Sequence, residues 1–182
     1  MTEDLSQLWN ATDALIEVAA VHEAGHACIA VEMGGVNGAP VFSSVSIESS
    51  PNEHGVVPGG VAINPQWFER RSAVDRGAIL LAGWYAQEAH RLDAESGREF
   101  RDAALEKLND NSDCTDDIGR VLEIEPHDDQ DVDAFWGSVL ERLSQLWVQA
   151  RPRIDLVAAA LATRRTLSWR DFLIVVGEES DE

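Results

Sequence analysis

Residues 22–26 read His-Glu-Ala-Gly-His, and their types and spacing suit metal binding and acid–base chemistry. Two histidines four positions apart lie on the same face of an α-helix, one turn apart, so both rings can reach one Zn²⁺ ion. A glutamate between them can hold a water molecule and take its proton. The pattern therefore predicts His22 and His26 as zinc ligands and Glu23 as a general base.

The helix that carries these residues must be largely buried. Its apolar residues and both histidines share one stripe at helical spacing, and small apolar residues lie on the opposite side. The members of the stripe are Leu15, Val18, His22, His26, Ile29 and Met33. A carboxylate buried there without a partner is costly, and water on a metal supplies one for Glu23. The alternative is a core helix whose histidines are satisfied by ordinary hydrogen bonds.

A catalytic zinc ion usually has three protein ligands and one open position, so a third ligand is needed. The candidates are His54, Glu88, His90, His127 and the acidic cluster of Asp110, Asp113, Asp116 and Asp117. Helical phase places Asp117 on the stripe of Val121 and Ile124, so it points inward although it is charged. Asp117 can equally be an acid near a helix N-terminus, a part that Asp116 can also play. Glu88 stays a weaker alternative, and the three other histidines fit loop or surface positions.

The remaining patterns predict a mainly α (α+β) fold in a single domain, 1–182, with its core at about 13–176 and an acidic C-terminal tail. Thr12 or Asp13 caps the first helix, which ends at Gly34-Gly35. A strand at 41–48 and a short one at 61–63 form a small hairpin or sheet beside that helix. A helix at 66–92 places Glu88 on its inward side. Further helices follow, with Pro152 as a break and Ser168 as the last cap.

Composition limits the possible partners and location. The 182 residues carry a net charge of −19, which repels nucleic acids and anionic membranes, so we expect neither as a partner. Cys28 and Cys114 form no disulfide framework. No signal segment and no apolar run of about 18 residues is evident, so we expect a soluble, cytoplasmic protein.

Several segments resemble the peptidase domain of FtsH-type ATP-dependent zinc proteases. Residues 20–30, Ala-Val-His-Glu-Ala-Gly-His-Ala-Cys-Ile-Ala, look like its signature helix, and 80–89, Leu-Leu-Ala-Gly-Trp-Tyr-Ala-Gln-Glu-Ala, are similar to its helix ending in Gly-Gly-x-x-Ala-Glu-Glu. Residues 115–124 look like the segment that supplies the third ligand. Val45-Ser-Ile, His54-Gly-Val and 153–168 are similar to further segments, in the right order. The resemblance implies a zincin-like helical domain with Asp117 as third zinc ligand.

The departures from that family limit what the resemblance implies. Gln87 replaces the first glutamate of the family's pair, Cys114-Thr115 replace a Gly-Ala pair, and no phosphate-binding Gly-x-x-x-x-Gly-Lys-[Ser/Thr] loop exists. We therefore expect an ATP-independent zinc metalloendopeptidase that cleaves short or unfolded polypeptides, which a separate ATPase or partner protein could deliver. Glu88 is expected to orient a ligand histidine, and the strand around Val45 to pair with an extended peptide. The alternative is a non-catalytic metal-binding interaction module.

Overall fold

The chain folds mainly into helices. A computed structural model describes residues 3–34, 40–48, 50–52, 55–57, 59–109 and 115–178. The helices are α1 (Glu3–Gly34), α2 (Pro65–Glu69), α3 (Ala73–Gln87), α4 (Gly97–Asn109), α5 (Thr115–Leu122), α6 (Asp129–Arg164) and α7 (Trp169–Val175), with a 3-10 turn at Ala89–Arg91. The strands are β1 (Phe42–Ser46), β2 (Ser50–Asn52), β3 (Gly55–Val57), β4 (Gly60–Ile63) and β5 (Thr166–Ser168). The predicted mainly α, α+β class is confirmed.

Helices α1, α3 and α6 pack against one another and form the core. The largest fully buried side chains include those of Trp84, Trp136, Phe42, Phe100 and Phe172. Helices α1 and α3 approach closely at Gly25, where an added Cβ atom would lie 2.6 Å from the carbonyl oxygen of Ala82. A glycine inside the His-Glu-Ala-Gly-His segment therefore has a packing reason: it lets α1 lie directly on α3.

The small sheet lies beside α1, and its strand order is β4-β1-β5 with antiparallel pairing. Val45 pairs with Val61 on one side and with Leu167 on the other. An irregularity in the register between Phe42 and Val45 places both of these side chains in the core although they are three positions apart. The predicted hairpin is present, with a third strand that the sequence pattern did not indicate.

The position of β1 corrects one expectation. We expected the strand around Val45 to pair with an extended peptide, but β1 is the central strand, and both of its edges are hydrogen-bonded to β4 and β5. The additional partner strand is β5, which the sequence did not predict; of its residues, only Ser168 was assigned a part, as the cap of the last helix. Ser168 does cap α7 as predicted: its side chain accepts a hydrogen bond from the backbone N–H of Asp171.

Three helix predictions differ from the structure. The helix expected at 66–92 is divided into α2 and α3, with residues 70–72 between them, and α3 ends at Gln87. Helix α1 begins at Glu3, so Thr12 and Asp13 lie inside it and do not cap it. Helix α6 continues through Pro152, which was expected to break it. Pro152 and Val148, one turn earlier, are both exposed, so the ring projects outward and the carbonyl that loses its helical partner can be hydrated. One buried hydrophobic side of a long helix therefore outweighs the local cost of the proline.

The apolar stripe of α1 is buried only from His22 onward. Leu15 and Val18 belong to the stripe, but they are 66% and 46% exposed. By length and composition alone, Ala14–Gly34 could cross a membrane, which corrects the expectation that no such segment exists. More than half of this segment is buried inside the protein, and buried core helices meet the same two criteria. The packing of α1 against α3 and α6 favours the core-helix interpretation.

Candidate metal centre

The two histidines of α1 point to the same place. Their Nε2 atoms are 3.0 Å apart, and their rings meet edge to face with centroids 4.7 Å apart. Each histidine is only 7% exposed. Residues four positions apart in a helix lie one turn apart on one face, so this convergence follows from the helical geometry of residues 22–26.

Asp117 of α5 completes the cluster. Its Oδ2 atom lies 3.0 Å from His22 Nε2 and 3.1 Å from His26 Nε2. Within the described part of the chain, these three residues form a group of side chains that could hold a metal ion. Asp116, the neighbouring alternative, is exposed. Helical phase therefore predicted correctly which of the two adjacent aspartates faces the histidines.

The backbone of α3 orients His26. The Nδ1 atom of His26 donates a hydrogen bond to the carbonyl oxygen of Ile79 at 2.7 Å. A carbonyl oxygen can only accept, so Nδ1 carries the proton, and in the neutral ring Nε2 presents its lone pair to the cluster. Sequence reasoning missed this contact because a backbone acceptor leaves no mark in the pattern of side chains.

The three facing atoms suit a shared cation. The lone pair of a neutral His26 Nε2 and the carboxylate oxygen of Asp117 repel each other, so a positive charge, either a proton on Nε2 or a metal ion, is needed between them. Two atoms bound to a tetrahedral zinc ion at about 2.1 Å lie about 3.4 Å apart, and the observed separations of 3.0–3.1 Å are within a few tenths of that value. Two imidazole nitrogens and one carboxylate oxygen are also the donor types that zinc accepts.

His26 and Asp117 each stabilise the charged form of the other. Burial, the largest single effect, lowers the pKa of His26, but Asp117, Glu23 and the hydrogen bond to the Ile79 carbonyl together outweigh it and raise that pKa to about 9. Without a metal ion the ring is therefore protonated at neutral pH, and a metal ion that binds there displaces the Nε2 proton. Burial acts in the opposite direction on Asp117, and the neighbouring His26 and His22 hold the pKa of Asp117 well below its ordinary value. Asp117 is thus ionised over the whole neutral range, as a metal ligand must be.

Glu23 is a half-buried carboxylate next to the first ligand candidate. Burial raises its pKa, and the nearby His26 and His22 oppose that rise. A carboxylate with a raised pKa is a stronger base than one in water, which is the property that a general base near neutral pH needs. The electrostatics therefore agree with the role predicted for Glu23.

Glu88 does not take the part expected of it. Its carboxylate accepts a hydrogen bond from Trp84 Nε1 at 3.2 Å and pairs with Lys107 at 2.6 Å, and its side chain is 46% exposed. The partner of His26 Nδ1 is the Ile79 carbonyl, so the prediction that Glu88 orients this ligand is wrong. The reason is local: α3 ends at Gln87, and Glu88 leaves helical geometry with φ −153°, so it no longer follows the inward stripe.

The other candidate ligands are not part of the cluster or lie outside the described residues. His90 donates from Nδ1 to the carbonyl of Tyr85 and stacks on Trp147, with ring centroids 4.7 Å apart. His127 is exposed. Cys28 is buried, and this burial raises the pKa of its thiol. The predictions for His54, Asp110, Asp113 and Cys114 fall outside the part of the chain that the structure describes.

Comparison with known proteins adds no family. No protein-family model matches the chain, and no curated protein sequence matches it significantly. The function must therefore be inferred from the residues and their geometry.

Proposed function

We propose that this chain is a zinc-dependent metalloendopeptidase in which His22, His26 and Asp117 hold the metal and Glu23 is the general base. One observation carries the proposal: two buried imidazole nitrogens and one carboxylate oxygen converge within 3.0–3.1 Å of one another, and the half-buried acid Glu23 lies nearby. A purely structural metal site has no need of that acid.

The choice of zinc follows from the number and type of the ligands. Structural zinc sites use four protein ligands, often with cysteine, whereas catalytic sites use three and leave a position for water. The cluster offers three, and the described residues add no cysteine to it. When bound, a zinc ion supplies Lewis acidity, which makes water easier to deprotonate and polarises a carbonyl group.

The chain's own residues then account for the proton transfers. Glu23 takes a proton from the attacking water as the water oxygen forms a bond to the carbonyl carbon of the peptide. The same proton passes from Glu23 to the amide nitrogen as the carbon–nitrogen bond breaks, so the products are a carboxylic acid and an amine. Meanwhile the Ile79 carbonyl keeps His26 in the tautomer that a metal ligand requires.

The substrate class rests on the resemblance of residues 20–30, 80–89 and 115–124 to segments of the FtsH-type peptidase domain. That resemblance favours peptide bonds over other bonds that a zinc hydrolase can cleave. Because the chain has no phosphate-binding loop, we infer that its substrates are short or already unfolded polypeptides, or are delivered by a separate ATPase.

The test compares the parent with Glu23→Gln and with Glu17→Gln, an exposed glutamate on the same helix as a matched control. We measure bound zinc and the rate at which a fluorescently labelled, chemically unfolded polypeptide is cleaved. Glu23→Gln should keep its zinc and lose roughly 10²–10⁴-fold in rate, as expected when a general base is removed. Glu17→Gln should match the parent.

Two outcomes would contradict the proposal. Equal rates for the parent and Glu23→Gln would show that Glu23 is not the base. A parent that binds one zinc ion and cleaves no polypeptide would favour the non-catalytic metal-binding module.

A further inference from the structure

Gly83, in the middle of α3, faces the two histidine rings. A Cβ atom added to it would lie 2.5 Å from His26 Nε2 and 2.6 Å from both Nε2 and Cε1 of His22. These separations are far shorter than any normal contact of a carbon atom. Any residue other than glycine at this position would therefore collide with the atoms that face the metal position.

Position 83 requires glycine because a side chain would not fit there, and its backbone conformation does not require glycine. Gly83 is buried inside a regular helix and has no left-handed φ angle. In such a position alanine is favoured over glycine, because glycine loses more conformational freedom on folding. Because helix propensity disfavours glycine here, we attribute its presence to the lack of space for a side chain beside the two imidazole rings.

Gly83 is also linked to the contact that orients His26. It lies four positions after Ile79, so in an α-helix its backbone N–H donates to the Ile79 carbonyl. The same oxygen accepts the hydrogen bond from His26 Nδ1 at 2.7 Å, using its second lone pair. Without a side chain at position 83, the α3 backbone lies close enough to α1 for this contact to form.

We propose that Gly83 is a positioning residue of the metal centre: its missing side chain lets α3 lie against His22 and His26 and keeps the space between their Nε2 atoms open for the ion. This inference rests on the metal-binding part of the proposed function and does not depend on hydrolysis. It is therefore tested by metal binding and by stability, and neither measurement needs a substrate.

The first experiment titrates the metal-free protein with Co²⁺, whose visible absorption reports the number and geometry of its ligands. The variants are Gly83→Ala and, as a matched control, Gly119→Ala, because an added Cβ atom at Gly119 on α5 meets nothing within 4 Å. We expect Gly83→Ala to bind Co²⁺ at least roughly tenfold more weakly and with an altered spectrum, by analogy with changes to residues that orient metal ligands. Gly119→Ala should match the parent. An unchanged affinity and spectrum for Gly83→Ala would overturn the proposal.

The second experiment measures melting temperatures in the presence of a chelator. Gly83→Ala is compared in the parent and in a background with His22→Ala, His26→Ala and Asp117→Ala, which removes the atoms that the new methyl group would meet. We expect Gly83→Ala to lower the melting temperature of the parent and to leave that of the background unchanged or higher. An equal loss in both would show that Gly83 serves some other contact.

A folding failure also decides the question. If Gly83→Ala folds only in the background without the imidazoles, the collision with His22 and His26 is confirmed as its cause. If it folds in neither, the proposal is wrong.

Discussion

Asp117 and His22 stand 95 positions apart in the sequence, and in the folded chain their Oδ2 and Nε2 atoms are 3.0 Å apart. This contact joins α5 to α1 at the histidine pair. His22 and His26 come together because they lie one turn apart in one helix, whereas Asp117 reaches them only through the packing of α5 near α1. Asp117 is thus the residue that turns the histidine pair of one helix into a three-residue group that could hold a metal ion.

Removing that third donor should abolish tight metal binding. We expect Asp117→Ala to lose its zinc, because two neutral imidazoles alone hold the ion with fewer ligands and no compensating charge. Asp116→Ala is the matched control, since Asp116 is exposed on the same helix. Zinc content after dialysis, measured by plasma mass spectrometry, distinguishes the two. Loss from Asp116→Ala with retention by Asp117→Ala would reverse the assignment of the ligand.

Metal should stabilise the fold, because its ligands come from two helices that are distant in the sequence. A ligand that binds only the native state at 100 times its dissociation constant adds about 2.7 kcal/mol. For a chain of this size, that amount raises the melting temperature by roughly 5–11 °C. A chelator should reverse the rise, and Asp117→Ala should show none. If neither zinc nor the chelator changes the melting temperature of the parent, the proposal of a metal site is contradicted.

Glu125 should make stability depend on pH. Its carboxylate accepts hydrogen bonds from Arg101 at 2.7 and 3.0 Å and from Trp136 Nε1 at 2.7 Å. The Arg101 hydrogen bonds hold the pKa of Glu125 below its ordinary value, against a smaller opposing effect of burial. A carboxylate whose pKa is lowered by folding stabilises the protein above its unfolded-state pKa, and that stabilisation is lost as the pH falls through the folded-state pKa.

Urea unfolding of Glu125→Gln at several pH values tests this. We expect a loss of about 1–3 kcal/mol at pH 7, as for hydrogen bonds to charged groups. The difference from the parent should shrink as the pH falls below about 4.5, the ordinary pKa of a glutamate. Glu123→Gln, an exposed neighbour, should change stability little at any pH. A difference that stays constant down to pH 3 would show that the charge of Glu125 is not what stabilises the fold.

Arg165 is held in a left-handed conformation, with φ 68°, at the junction of α6 and β5. Its N–H donates to the Leu161 carbonyl, and its own carbonyl accepts from the N–H of Ile47, so the conformation is held by both neighbours. Glycine adopts this geometry without the penalty of about 1–2 kcal/mol that a Cβ atom causes, but it loses more freedom on folding. We expect Arg165→Gly to raise the free energy of unfolding by about 0.5–1 kcal/mol.

Arg164→Gly is the control for that change. Arg164 is helical, and its exposed ion pair with Asp171 is 3.8 Å long, so it contributes little. Glycine there should lower stability by up to about 1 kcal/mol. Denaturant unfolding curves that show the same sign for both variants would contradict the argument from backbone conformation.

The parts of the site that follow from helical periodicity could be predicted from sequence. His22 and His26 share a face because they are four residues apart, and Asp117 faces inward because it shares a stripe with apolar residues of α5. The small sheet at 41–48 and 61–63 was also predictable, since apolar and polar residues alternate around Val45 and Ile47 and a glycine-rich segment follows.

What could not be predicted depends on where elements end and on which distant segments meet. By sequence spacing, Glu88 belongs to the inward-facing stripe of α3. However, α3 ends one residue before it, so helical spacing no longer predicts the direction of its side chain. The third strand pairs residues 166–168 with β1, a contact that no local pattern encodes. The backbone contact of His26 with Ile79 and the space left by Gly83 depend on how closely two helices approach, which side-chain type alone does not reveal.

The central position of β1 has a consequence for how the protein is made. Ser46 meets Thr166, 120 residues later, so on the ribosome β1 can form its hairpin with β4 long before β5 exists. At about 5–20 residues per second, that interval is roughly 6–24 seconds. During this time a nascent β1 presents an unpaired edge that other chains could join. Until β5 has been synthesised, the growing chain therefore depends on its surroundings to prevent the wrong strand from taking that place.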